Sequence, residues 1–143
     1  VKGTGVTCAT SPMGADHTAG LTVFARNDHH SPAGQVELSR NAQVRRAWLD
    51  SMGLCVFLDG STWNRPDLYT RLLQAVHGVP VMPEDLLRIG RQVIRQELAW
   101  NARADPALAR MGLPAFFRDE PLPPAGVTFD VPQDELDAIW REE

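Results

Sequence analysis

Thiols are scarce in this chain. Its 143 residues contain two cysteines, Cys8 and Cys55. That is too few for a disulfide framework, and their separation matches no zinc-ligand spacing. Lysine is scarcer still: of 14 basic residues only Lys2 is not arginine, and 18 acidic residues set the formal net charge at -4. A nucleic-acid partner needs clustered excess positive charge, which this balance does not supply. A helix-turn-helix reading of the short helices fails on the same ground. No run of about 18 apolar residues is present, so nothing reads as a membrane span. No signal-peptide pattern opens the chain either. A reducing, cytoplasmic compartment is the simplest expectation.

What is present is enough for a packed domain. Hydrophobic residues make up 43% of the chain, too many for a disordered segment. The near-exclusive use of Arg suits packed helix surfaces as well as anion binding, because guanidinium tolerates partly buried ion pairs. The chain starts at Val1 in mid-pattern, which reads as a fragment or cut product.

The hydrophobic pattern predicts a mainly α fold with at most short strands. Residues 1–33 read as irregular, punctuated by Gly3, Gly5, Pro12, Gly14, Gly20 and Pro32, with a short strand at Leu21–Ala25 and a turn at Asn27–Pro32. Val44, Ala47, Trp48 and Met52 then share one helical face, and Gly53 ends that helix. Asn64 as N-cap and Pro66 in the first turn open a second helix. Its expected buried face is Leu68, Leu72, Leu73 and Val76, and it ends at His77 and Gly78. His77 suits that end, where a cation meets the negative pole of the helix. Pro83, Glu84 and Asp85 open a third, longer helix. Its expected core stripe is Leu86, Ile89, Val93 and Trp100, widened by Leu87, Ile94 and Leu98. A Pro-rich loop at Leu113–Pro124, a short strand at Val127–Val131 and a helix from Gln133 to Trp140 complete the pattern.

Asp50-Ser51-Met52-Gly53-Leu54-Cys55 has two readings. The bland one is a helix C-terminus followed by a buried structural thiol. The chemical one is a ligand site. A carboxylate can accept two N–H bonds from a planar heterocycle such as a pterin. Glycine lets backbone approach a ligand closely, and a thiolate at a helix terminus can ligate iron. Other residues favour structural readings. Cys8 reads as a packed thiol. Adjacent His29 and His30 point apart and lack a third metal ligand. Asp59 reads as a turn cap, and Trp48, Trp63, Trp100 and Trp140 as core.

The stretch Ala9-Thr10-Ser11-Pro12-Met13-Gly14-Ala15-Asp16-His17 resembles the ATS-P-x-GA-x-H segment of the aldehyde ferredoxin oxidoreductase family. Asp50 to Cys55 resembles that family's second pterin-binding motif. Ile89-Gly90-Arg91 is similar to its G-E-R helix and Trp100-Asn101-Ala102-Arg103 to its F-N-x-R. Leu113-Pro114 and Glu120-Pro121-Leu122 fit its C-terminal loop. These matches hold their order over nearly the whole chain.

The resemblance implies a helical C-terminal domain of this type, residues 34–143, behind a loop-rich segment, 1–33, with an active-site-type His. It implies an enzyme that oxidises aldehydes to carboxylic acids with a tungsten or molybdenum bispterin and a [4Fe–4S] cluster. Ferredoxin or another electron-carrier subunit would accept the electrons, and the missing N-terminal domains of the same enzyme would be partners. By position, Asp50 would bind pterin, Gly53 and Leu54 would shape the pterin loop, and Cys55 would ligate the cluster. His17 would sit near the metal, to bond substrate oxygen or move a proton. The family's other cluster cysteines and first pterin motif are not in this sequence. The acid of G-E-R is absent, and Arg110-Met111-Gly112 replaces the usual acids before Leu-Pro. The alternative is a non-catalytic helical docking module or a degenerate remnant. On either reading the isolated chain is expected to be inactive and to expose apolar surface.

Overall fold

The computed structural model describes residues 1–62 and 65–141, without the side chains of residues 59–61. The readings of Trp63, Asn64 and the Asp59 side chain therefore lie outside the described residues. The described residues form helices α1 (Lys2–Thr10), α2 (Gln35–Ser51), α3 (Val56–Thr62), α4 (Pro66–His77), α5 (Pro83–Ala104), α6 (Phe116–Asp119) and α7 (Gln133–Ala138), with short 3-10 turns at His17–Ala19 and Pro106–Ala109. The mainly α architecture is as expected, and α5 packs most extensively on α2. No described helix is long and apolar enough to cross a membrane.

The first difference from the sequence reading is α1, a helix where Gly3 and Gly5 read as loop. Both glycines are packing devices. A Cβ on Gly3 would lie 2.8 Å from Gln35 Oε1, and one on Gly5 would lie 2.8 Å from the Phe129 ring. Tertiary contact thus overrides the low helix propensity of glycine, about 1 kcal/mol per residue. Val6 and Ala9 enter one core with Phe129, Val131, Leu136 and Ile139. Buried Lys2 pairs with Asp130, which ties the start of α1 to the C-terminal segment. Between α1 and α2 the packing is polar: Thr7 Oγ1 and Ser39 Oγ lie 2.7 Å apart, and Gln43 Nε2 donates to Thr10 Oγ1 at 3.0 Å.

The two short strands are absent. Leu21–Ala25 is a turn, with Ala25 N donating to Thr22 O at 3.0 Å. At Val127–Val131 there is only an isolated antiparallel bridge, Leu122 to Val127, and Phe129 N donates to Phe117 O at 2.7 Å. Without an adjacent strand these short apolar runs have no ladder to join.

The C-terminus of α2 follows from its sequence. Gly53 adopts φ +68°, Gly53 N donates to Asp50 O at 2.9 Å and Leu54 N to Leu49 O at 3.2 Å. That pair of bonds is a Schellman cap with glycine at its left-handed position. Leu54 then packs on a second core built from Trp48, Leu49, Tyr69 and Leu86. Trp48 and Tyr69 meet edge to face with centroids 4.9 Å apart.

Two apolar stripes differ from expectation. On α4 the buried residues are Tyr69 and Thr70, with Leu73 partly covered, while Leu72 and Val76 are 46% and 67% exposed. The α4 helix turns its aromatic residue, not its leucine row, to Trp48. On α5 the buried row is Leu86, Gly90 and Ile94, spaced by four, and Leu87 and Trp100 are exposed. At Gly90 the two helix backbones meet, while Ile89 is partly buried against the core of Trp48 and Leu49. Trp100 is covered on one face by the Arg103 guanidinium, 5.4 Å from the ring centroid.

Candidate functional site

Four elements converge on one cleft of about 260 Å³: the Ser11–Met13 loop, the His17–Ala19 turn through Ala19, α2 and α5. The loop is held from two sides. Asn101 Nδ2 on α5 donates to Pro12 O at 2.7 Å, and Trp140 Nε1 donates to Thr10 O at 2.9 Å. Gly112 N adds a bond to Ala9 O at 3.0 Å. Asn101 therefore holds the loop itself, and Gly112 and Trp140 hold the end of α1 from which it runs.

Asp50 enters the cleft from the last turn of α2. Its Oδ1 accepts from Arg46 Nε at 2.8 Å and from Arg46 Nη2, one turn earlier. Both bonds go to Oδ1, so Oδ2 is not used by Arg46. Arg46 Nη2 also donates to Leu54 O at 3.0 Å. The Arg46 side chain is only 7% exposed, whereas Asp50 is half exposed. Arg46 Nη1 and Gln43 Oε1 are buried without a hydrogen-bond partner among the described residues. Each such atom carries a desolvation cost of about 1–3 kcal/mol. Both residues line the cleft.

Glu97 faces the cleft from α5. Partial burial, and then the Asp50 carboxylate, push its carboxyl above the ordinary value of 4.5. Two carboxyl groups, Asp50 and Glu97, thus share this wall.

The other candidates do not line that wall, although His17 shares its 3-10 turn with Ala19, which does. Cys55 is exposed and stands just before α3, its carbonyl accepting from Leu58 N at 3.0 Å. Neither Cys55 nor His17 lines the cleft. The His17 side chain is 73% exposed, and its Nδ1 lies 3.9 Å from Asp16 Oδ1, beyond hydrogen-bond range. Asp16 instead caps the 3-10 turn through Thr18 N at 2.7 Å and Thr18 Oγ1 at 2.8 Å. Those bonds hold its carboxyl below the usual carboxylate range. Burial, with the Asp16 charge, pushes the Cys8 thiol up, in keeping with a packed, unreactive side chain. Among the described residues no three of His, Cys, Asp and Glu converge as a metal site.

The site residues missed in the sequence are Arg46, Gln43 and Glu97; Asn101 stood out there within Trp100–Arg103, and its bond to Pro12 O comes from the structure. Arg46 and Asp50 are opposite charges spaced by four on a helix, a readable signal. Gln43 and Glu97 carry no such signal, because their importance depends on how α2 and α5 cross.

No curated protein and no solved structure matches the chain. A family model does: aldehyde ferredoxin oxidoreductase, domains 2 & 3, aligns with residues 1–142. The match spans the Ser11–Met13 loop, Asp50 and the Asn101 tether that together build the cleft, and the chain belongs to the aldehyde ferredoxin oxidoreductase family.

Proposed function

We propose that this chain is the part of an aldehyde-oxidising enzyme that holds one pterin and one iron of a [4Fe–4S] cluster. The observation that supports it is the shared wall: the Ser11–Met13 loop and Asp50, far apart in sequence, line one cleft. The residues fit the implied groups in part. The Asp50 carboxylate keeps Oδ2 for the paired N–H groups of a pterin, a charge-assisted contact. Gly53 and Leu54 shape the loop behind it through the helix cap. Cys55 is exposed and can ligate one iron. A cluster needs four ligands, so the remaining three would come from the N-terminal domains of the same enzyme. When bound, the tungsten or molybdenum bispterin and the cluster supply the two-electron oxidation and the outward path for electrons.

The protein's share is placement. Asp50 orients the heterocycle. His17, exposed on its 3-10 turn, would hold a proton at the substrate carbonyl oxygen or accept one from water. An aldehyde is the substrate class, a carboxylic acid the product, and ferredoxin or another carrier subunit the electron acceptor. The enzyme would work in the cytoplasm.

The test is Cys55→Ala in the full-length protein. Loss of cluster iron is expected. Wild-type iron content with an unchanged cluster EPR signal would sink the assignment.

A second reading, a non-catalytic docking module, is favoured by the exposed apolar row Leu72 and Val76 on α4 and by Phe57, 88% exposed, on α3. Absence of Cys-x-x-Cys-x-x-x-Cys upstream in the same reading frame would decide for it.

A further inference from the structure

We propose that Arg46 is the positioning residue of the Asp50–Cys55 segment, a clamp that joins the carboxylate at its start to the backbone beside its thiol. The inference rests on the reading of that segment as a pterin and cluster site. Three observations carry it. The Arg46 side chain is buried at 7% exposure, so its direction is set by packing and not by solvent. Its guanidinium reaches two targets at once, Asp50 Oδ1 through Nε and Nη2 and Leu54 O through Nη2. Leu54 O belongs to the peptide that leads into Cys55, so one planar group sets both the acceptor offered to a heterocycle and the peptide that carries the iron ligand.

The chemistry requires arginine. A guanidinium is rigid and presents its donors as a fork, whereas a lysine ammonium is a point charge on a flexible stem. A lysine side chain ends short of the Nη2 position, so it is expected to keep the ion pair with Asp50 and to give up the bond to Leu54 O. The Schellman bonds from Gly53 N and Leu54 N do not involve Arg46. They hold the cap when the clamp is removed, so the segment keeps its fold and loses its fine orientation. Arg46 therefore acts on the cofactor through Asp50 and Leu54, in the way that outer ligand partners orient a metal site.

The experiment uses the full-length protein purified with its cofactors, as wild type, Arg46→Lys and Arg46→Gln. Pterin retained after dialysis, iron per subunit, the EPR signal of the reduced cluster and the thermal midpoint are measured on each. In Arg46→Lys the midpoint and iron content are expected to stay near wild type. Pterin retention is expected to fall about tenfold, the low end of the loss when an orienting partner is removed, with a shifted EPR signal. Arg46→Gln is expected to lose at least as much pterin. Wild-type pterin retention and an unshifted signal in Arg46→Lys overturn the clamp, whether or not Arg46→Gln folds. A lower midpoint with unchanged pterin and EPR also overturns it, because that is a structural role alone. A wild-type protein that holds neither pterin nor iron overturns the underlying function and the clamp with it.

Discussion

A Cβ placed on Gly90 of α5 would lie 2.2 Å from the carbonyl oxygen of Val44 on α2. No side-chain rotation relieves that contact, because the obstacle is backbone. Gly90→Ala is therefore expected to push the two helices apart and to destabilise the fold by about 3 kcal/mol or more, the upper end for overpacking. Thermal unfolding of the variant checks it, and an unchanged midpoint would show that the helices do not meet this closely.

Glu97 should make stability depend on pH. Its carboxyl is raised above the ordinary 4.5 by partial burial and then by Asp50, with Arg46 on the same wall. A raised folded-state value means the folded protein binds the proton more tightly than the unfolded chain. The stabilising contribution is full below the ordinary value and is lost as pH rises through the folded-state value. Glu97→Gln, neutral at every pH, is expected to raise the unfolding midpoint at pH 7 and to leave it unchanged at pH 4. Equal effects at both pH values would remove the electrostatic explanation.

Asn101→Ala should free the loop without loosening α5. The bond from Asn101 Nδ2 to Pro12 O is lost, a cost of about 1 kcal/mol. Amide hydrogen exchange of residues 13–16 is expected to speed up while exchange along α5 holds. Equal acceleration in both would point to general destabilisation instead.

His17→Ala in the full-length enzyme is expected to keep metal and stability, since the side chain is 73% exposed. Turnover is expected to fall by about a hundredfold, the ordinary contribution of one acid–base group. Unchanged aldehyde turnover would take His17 out of the site.

Legibility in the sequence followed the locality of the cause. Helix ends were readable because they depend on neighbours in sequence: Gly53, Gly78 and Pro83 stop or start helices where expected. The α1 helix was not readable, because Gly3 and Gly5 matter for what packs against them from Gln35 and Phe129. The leucine row of α4 misled for a related reason. Periodicity shows that Leu68, Leu72 and Val76 share a face but not whether anything covers it. In the site, the Asp50 to Cys55 segment was visible as a pattern, whereas the Arg46 fork and the Glu97 wall needed the crossing of α2 and α5.

The polar contact between α1 and α2 has a consequence for the order in which the molecule loses structure. An isolated nine-residue helix with two glycines is far below the length that holds together in water. The helix is held by its packing: Val6 and Ala9 sit in the apolar core, and Thr7, Thr10, Ser39 and Gln43 close a hydrogen-bonded seam that an alternative alignment would leave unsatisfied. Six of its nine residues are buried, so it is expected to open together with the core it packs on and not ahead of it. Since the Ser11–Met13 loop runs directly from its end, the cleft should persist until that core opens.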